Sequence, residues 1–245
     1  MTKTSRILSV AAILAAGIGL GSEARAQAPT APATLGFVNI NIGAQPATHH
    51  IESTASLPVF GETATIKSSQ SIHGGALFDV SGGYRVWRNL SVAVGFSSFS
   101  KDSDAAVVAT IPNPLVFDQP LTVTTTQAGL GHTEKGVHLQ AVWFFPVTDK
   151  IDVSISAGPS FISVHQELVS AVTIPSGTQN INIVVGSEDK TAKGVNVGVD
   201  GNYFFNRNFG AGVFIRYAGG SVDLPSAPDL KVGGFQIGIG ARIRF

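Results

Sequence analysis

The chain closes on VGGFQIGIGARIRF, residues 232–245. Phe235, Ile237, Ile239, Ala241, Ile243 and Phe245 alternate there with Gly234, Gln236, Gly238, Gly240, Arg242 and Arg244. Strict alternation of this kind describes a strand with two unlike faces. Chain ends ordinarily fray and turn polar. This one keeps its period to an aromatic last residue and sets two arginines on the face opposite the apolar one.

The same period recurs upstream. Within 34–44, Val38, Ile40 and Ile42 oppose Asn39 and Asn41. Within 73–87, Phe78, Val80, Tyr84 and Val86 oppose Asp79, Ser81 and Arg85. In 89–99, Leu90, Val92, Val94 and Phe96 oppose Ser91 and Ser97; in 136–145, Val137, Leu139, Trp143 and Phe145 oppose His138 and Gln140. Residues 150–161 set Ile151, Val153, Ile155 and Phe161 against Asp152, Ser154 and Ser156. Residues 194–205 set Val195, Val197, Val199, Tyr203 and Phe205 against Asn196, Asp200 and Asn202, and 209–217 set Phe209, Val213 and Ile215 against Gly210 and Arg216. With the tail, eight segments share one pattern.

Their connections alternate in length. Tight turns lie at Arg88-Asn89, Val147-Thr148-Asp149 and Asn206-Arg207-Asn208, and long connections at 45–71, 101–135, 167–193 and 218–231. The long ones far exceed ordinary hairpin loops. Short turns at one edge, long loops at the other and an even strand number are the plan of a transmembrane barrel. The faces decide its sense. The apolar face carries no charge in any segment, and the opposite face is rich in Gly, Ser, Asn and charge. That second face is too small and polar for a soluble core, so the apolar face goes to lipid. A charge there would cost about 2–4 kcal/mol at mid-membrane. The expected fold is all-β, an eight-stranded antiparallel up-and-down transmembrane β-barrel over 34–245. Tyr84, Trp87, Trp143, Phe145, Tyr203 and Phe205 gather at the tight-turn edge with Phe144, Phe204, Phe209 and Phe245, as one aromatic girdle; Phe96, Phe99, Phe161 and Tyr217 suit the other.

The beginning of the chain reads as an export signal. Lys3 and Arg6 precede the apolar run 7–21, and Ala24 and Ala26 form a small-residue cleavage site. We expect residues 1–26 to be removed and 27–33 to form a short extension. The absence of cysteine rules out disulfides and thiolate chemistry, and 16 basic against 16 acidic residues offer no footprint for nucleic acid.

The whole mature chain resembles the small eight-stranded outer-membrane barrels of the OmpA/OmpX/OmpW type. Gly240, Ile243 and Phe245 resemble that family's C-terminal assembly signal, with Ile243 where an aromatic is usual. The resemblance implies location in the outer membrane, contact with its lipids and lipopolysaccharide, and recognition by the barrel-assembly machinery.

The inward face holds Asp79, Asp152, Asp200, Arg85, Arg216, Arg242, Arg244 and His138. An eight-stranded barrel is just wide enough for side chains to fill, and a buried charge without a partner is costly. Counting from the tight turns places Arg85, Asp152 and Arg242 in one layer and Asp79, His138 and Arg216 in the next. An ion-paired plug is the expected result, and a narrow path for ions the alternative. Ser163, His165 and Glu167 would share one face near the end of strand five, the best nucleophile–base arrangement available. Its order departs from that of outer-membrane lipid-modifying enzymes. His49, His50 and Glu52 offer metal ligands on a loop, and His73 and His132 have no evident partner. We therefore expect no catalytic residues, cofactor or metal.

The long connections carry apolar β-prone runs, such as 105–114 with 121–126, 169–177 with 181–185, and 56–66. These read as hairpins that continue the strands, with an edge that takes a protein partner by strand addition. The expected role is structural and surface-interactive. A narrow channel for small solutes is the alternative, and a lipid-modifying enzyme comes third.

Overall fold

Period-two faces, β-branched residues and turn-forming Asn, Asp and Thr are carried through the computed structural model, which describes residues 35–245 apart from 60, 114–115, 117–118, 174–181 and 226–227. The expected export signal at 1–26 and the extension at 27–33 lie outside the described residues. Ten strands follow one another: β1 (Gly36–Gln45), β2 (His49–Val59), β3 (Glu62–Ile72), β4 (Gly75–Trp87), β5 (Leu90–Ile111), β6 (Leu121–Pro146), β7 (Ile151–Thr173), β8 (Asn182–Phe204), β9 (Phe209–Val222) and β10 (Leu230–Arg244).

Eight of them close a ring. The order β5-β4-β1-β10-β9-β8-β7-β6 returns to its start through the β5–β6 pairing, and every pairing is antiparallel. The tail quoted above completes it: Phe37 stands opposite Arg244 and Asn41 opposite Gly240. The backbone N–H of Leu35 and of Gly36 donate to the Phe245 carbonyl, and Phe245 N–H donates back to Gly36. From Ile237 to Phe245 the final strand is held by the first, so its alternation runs to the end.

Side chains fix the short turns. Thr148 Oγ1 accepts from the N–H of Lys150 and of Ile151, and Asn206 Oδ1 accepts from Asn208 and Phe209. Arg88 takes φ 38° in the β4–β5 turn. Ile42, Val94, Val195, Val213 and Ile239 stand more than half exposed on the outer wall. Tyr84, Trp87, Trp143, Phe145, Tyr203 and Phe205 are exposed there too. Phe99, Phe144 and Phe204 do not belong to a girdle. Phe99 and Phe204 are buried, and Phe144 packs edge-on against inward-facing Phe37, ring centroids 5.4 Å apart.

The other end of the molecule is more strand than loop. A membrane crossing takes about 9–11 residues of strand, yet β5, β6, β7 and β8 have 22, 26, 23 and 23. Their far halves, and the additional hairpin β2–β3, occupy most of the stretches read as long connections. β3 pairs with β5 from Thr65↔Thr110 to Gln70↔Ala105, taking over the side of β5 that β4 leaves at Leu77↔Phe99. β6 stays with β5 to Leu121 but leaves β7 beyond His132↔Gln166. β2, β3, β5 and β6 thus form a sheet above the ring, and the β7–β8 hairpin packs on it. Ile66, Ala105, Val107, Ala109, Leu130 and Val169 are buried between them, with Ile183 against the cluster.

Candidate functional site

Inward-pointing residues recur at every second position of each strand, so polar rows from opposite walls meet across a narrow lumen. At the tight-turn end, Arg244 pairs with Asp152, which also accepts from Asn202 Nδ2 at 2.8 Å. Arg242, 1% exposed, donates to Asn202 Oδ1 (2.6 Å), Asn41 Oδ1 (2.5 Å) and Asp200 Oδ1 (3.3 Å). Asn41 Nδ2 donates to Asp79 Oδ1 and Arg216 to Asp79 Oδ2, both at 2.7 Å. Gly212 makes room for this. A Cβ there would lie 2.6 Å from both Arg242 Nε and Asn202 Oδ1.

The network continues upward without a break. Arg216 Nε donates to Gln236, Gln236 to Gln45, and Gln45 to Glu134 Oε2, at 2.9, 3.0 and 3.0 Å. His132 bridges Glu134 Oε1 (3.0 Å) and Gln166 Oε1 (2.6 Å), and Gln166 donates to Gln70. A second set of hydrogen bonds joins Ser97, His138, Ser160, Asn196 and Gln140. Ile72, Leu77, Phe99, Ile162, Val164 and Val232 fill the space around the upper part. A polar cavity of about 30 Å³ beside Asp79, Asp200 and Arg216 is the size of one water.

One layer assignment from the sequence is corrected here. Arg242 pairs with Asp200 and not with Asp152, whose cation is Arg244. His138 shares the height of Asp79 and Arg216 but hydrogen-bonds to Ser97 and Ser160, both at 2.8 Å. Arg85 is half-buried, with Arg244 and Asp152 as its charged neighbours. His132, without an evident partner in the sequence, has two. Gln45, Gln70, Glu134, Gln166 and Gln236 were missed although the parity of their strands points them inward.

Above the apolar band, two groups are shifted. Burial pushes Glu134 up, but the hydrogen bond and charge of His132, with Gln45 and the Gly233 N–H, outweigh it and hold Glu134 below the usual carboxylate range. Burial lowers His49, partly offset by Glu134 and reinforced by His132. The partners at this height thus favour the ionised carboxylate of Glu134, and burial favours the neutral form of His49.

The nucleophile–base arrangement comes apart. Ser163 Oγ meets Thr191 Oγ1 at 3.1 Å, His165 Nδ1 meets Asp189 at 2.8 Å, and Glu167 accepts from Gly131 N–H at 2.8 Å. His50 and Glu52 are exposed whereas His49 turns inward, and His50 bonds Ser71. Among the described residues no group of three His, Cys, Asp or Glu side chains is placed to hold a metal ion.

With the ring, its faces and the lumen network described, the family model for the outer membrane protein beta-barrel domain matches residues 11–244. The chain belongs to this family. Its place is therefore the outer membrane. Among solved structures, the outer membrane protein OprG from Pseudomonas aeruginosa is similar at 9% identity and TM-score 0.51, covering 87% of this chain and 97% of its own. Neisserial surface protein A is similar at 13% identity, TM-score 0.45, with 86% and 97% covered. The outer membrane protease OmpT from Escherichia coli follows at 8%, 0.47, 85% and 97%. The likeness to OprG speaks for the fold alone, and fold does not fix function. No curated protein matches the sequence.

Proposed function

We propose that the protein is a sealed outer-membrane barrel that acts at the cell surface, taking an extended segment of a partner protein onto the free edge of β6. One observation carries this reading. From Leu121 to Ala128, β6 is paired with β5 alone among the described residues. Its stretch LTVTTTQA, residues 121–128, holds no charge and no proline. Sheet edges are normally blunted by such residues. The β2 edge has Glu52 and Pro58; the β6 edge has neither device. An open row of backbone donors and acceptors, flanked by Thr side chains, is what strand addition uses. A catalytic role has less support, because Ser163 and His165 bond to other residues. A channel has less support, because the lumen is filled.

Ala105, Val107 and Ala109 belong to the buried outer core, so a point change tests the edge better than a deletion. In a strand, neighbouring N–H groups point to opposite sides. Val123→Pro and Thr124→Pro, made separately, therefore include one variant that loses a donor on the free edge and keeps its bonds to β5. That variant is expected to fold, shown by heat-shifted gel migration, and to lose adhesion of barrel-bearing cells to a protein-coated surface by at least about tenfold, the loss of roughly one or two kcal/mol of pairing. Unchanged adhesion in both variants contradicts the reading, as does a wild-type barrel that confers none.

A further inference from the structure

The β2–β3 hairpin is rooted over the upper end of the lumen. In its register His49 stands opposite Ile72 and Ile51 opposite Gln70. Ile51 and Ile72, 2% and 0% exposed, share one cluster with Leu168 of β7, Ala192 of β8 and Leu230 and Val232 of β10. Gln70 accepts from Gln166 of β7 at 3.1 Å. The root thus packs on ring strands other than β5, the one to which β3 is paired, and closes the mouth above the polar chain.

Two histidines sit at this root. Gln166 Nε2 donates to Gln70 and to the Glu167 carbonyl, so Gln166 Oε1 is the atom that meets His132 Nδ1 at 2.6 Å. His132 Nε2 meets Glu134 Oε1 at 3.0 Å. Both nitrogens of His132 therefore face acceptors, which takes two protons and a positive ring. Glu134 is already engaged, since it also accepts from Gln45 and from the Gly233 N–H. The ring of His49 lies 6.5 Å from that of His132 between centroids, and its buried Nε2 has no hydrogen-bond partner among the described residues. A neutral His49 leaves that nitrogen bare. A protonated one holds an N–H without an acceptor, and a second positive charge beside His132. Burying such a donor is costly, more so when it is charged. Burial, with His132 and His50, outweighs the attraction of Glu134 and of the Gly233 backbone, and holds His49 below the ordinary histidine value of 6.5. The other ionisable groups near the root are engaged or exposed: Glu167 of β7 accepts from the Gly131 N–H, and Lys101 of β5, opposite His132, is exposed.

We propose that the β2–β3 hairpin is an acid-released lid, which closes the lumen mouth while His49 is neutral and lifts when His49 takes up a proton. A lifted hairpin returns His49 to water and to its ordinary value of 6.5, so the open form binds the proton more tightly. The closed form has its full stability above that pH and loses it as pH falls below. The ion pairs lower in the lumen stay in place, so lifting changes access to the mouth and not the network beneath it. The lid does not depend on what the β6 edge binds.

The test is hydrogen exchange of the full refolded barrel, read by mass spectrometry on peptides from 49–59 and 62–72 and corrected for the intrinsic rate at each pH. One proton on an ordinary histidine changes such an equilibrium by at most about tenfold between about pH 7.5 and about pH 5.5. Wild-type exchange in the hairpin is expected to rise severalfold towards that limit, while β4 and β9 stay protected. His49→Gln and His49→Phe, made separately, are expected to keep the hairpin protected and to lose the pH response. His50→Gln, a change at the exposed neighbour, is expected to keep the response. A wild-type rise of less than about twofold over that interval overturns the proposal. So does a pH response that survives in His49→Gln or His49→Phe. A hairpin unprotected at every pH in both variants also overturns it, because His49 would then hold the root by its shape alone.

Discussion

Asp79→Ala lowers the unfolding free energy of the refolded barrel by about 3–5 kcal/mol, the usual consequence of leaving a buried charge alone. Asp79 is 2% exposed and accepts from both Arg216 and Asn41 at 2.7 Å. Removing it leaves Arg216, 5% exposed, bonded to Gln236 but without its carboxylate. The loss belongs to the stranded cation and not to a large intrinsic strength of the pair. Asp79→Ala combined with Arg216→Met therefore recovers most of it, because an apolar replacement of a buried pair is often neutral. Urea titration in micelles, read as a double-mutant cycle, measures both. A single variant within about 0.5 kcal/mol of wild type would mean that water reaches Arg216 and that the lumen is not sealed there.

Ile66→Asp acts on the other half of the molecule. Ile66 is 2% exposed in the cluster with Val107, Ala109 and Val169. A carboxyl group buried among apolar side chains has its pKa raised by up to 3–5 units, and each unit corresponds to 1.36 kcal/mol. The expected penalty is on the order of 4 kcal/mol. It falls on the β2–β3 hairpin and its sheet, not on the eight-stranded ring below. Protease is expected to cut within 49–72 in the variant while the ring keeps its heat-shifted migration. Global unfolding of the ring would show that the two parts are one cooperative unit. Resistance equal to wild type would show that the outer core adds little.

Much of this architecture is legible in the residues. Val38, Ile40 and Ile42 against Asn39 and Asn41, or Val195, Val197 and Val199 against Asn196 and Asp200, state which side faces lipid. Only a membrane barrel makes sense of a face without charge turned outward. The pairing of Asp79 with Arg216 follows from counting along two strands that start at the same edge. The count fails for Arg242 and Asp152 because neighbouring strands in a tilted barrel are staggered. A long guanidinium also reaches a layer away from its own Cα. Gln45, Glu134, Gln166 and Gln70 escaped notice for a different reason. They lie beyond the apolar band, where the outer face turns polar and the contrast between faces disappears. Parity was still available: 130, 132, 134, 136, 138 and 140 share the inward side of β6. Phe99 shows the same thing, since its odd number places it opposite Phe96, inside. The outer sheet of β2, β3, β5 and β6 depends on contacts between distant segments, which periodicity along one strand does not encode.

Whether the hydrogen-bonded chain from Arg244 to Gln70 seals the barrel is measured most directly by single-channel recording of the refolded protein in a planar bilayer, with folding first shown by heat-shifted migration. A folded barrel is expected to give no discrete openings, and Asp79→Ala, which loosens the lumen at Arg216, is expected to give some. Reproducible openings in the wild-type protein would contradict a sealed lumen and make the interior, not the outer sheet, the working part of the molecule.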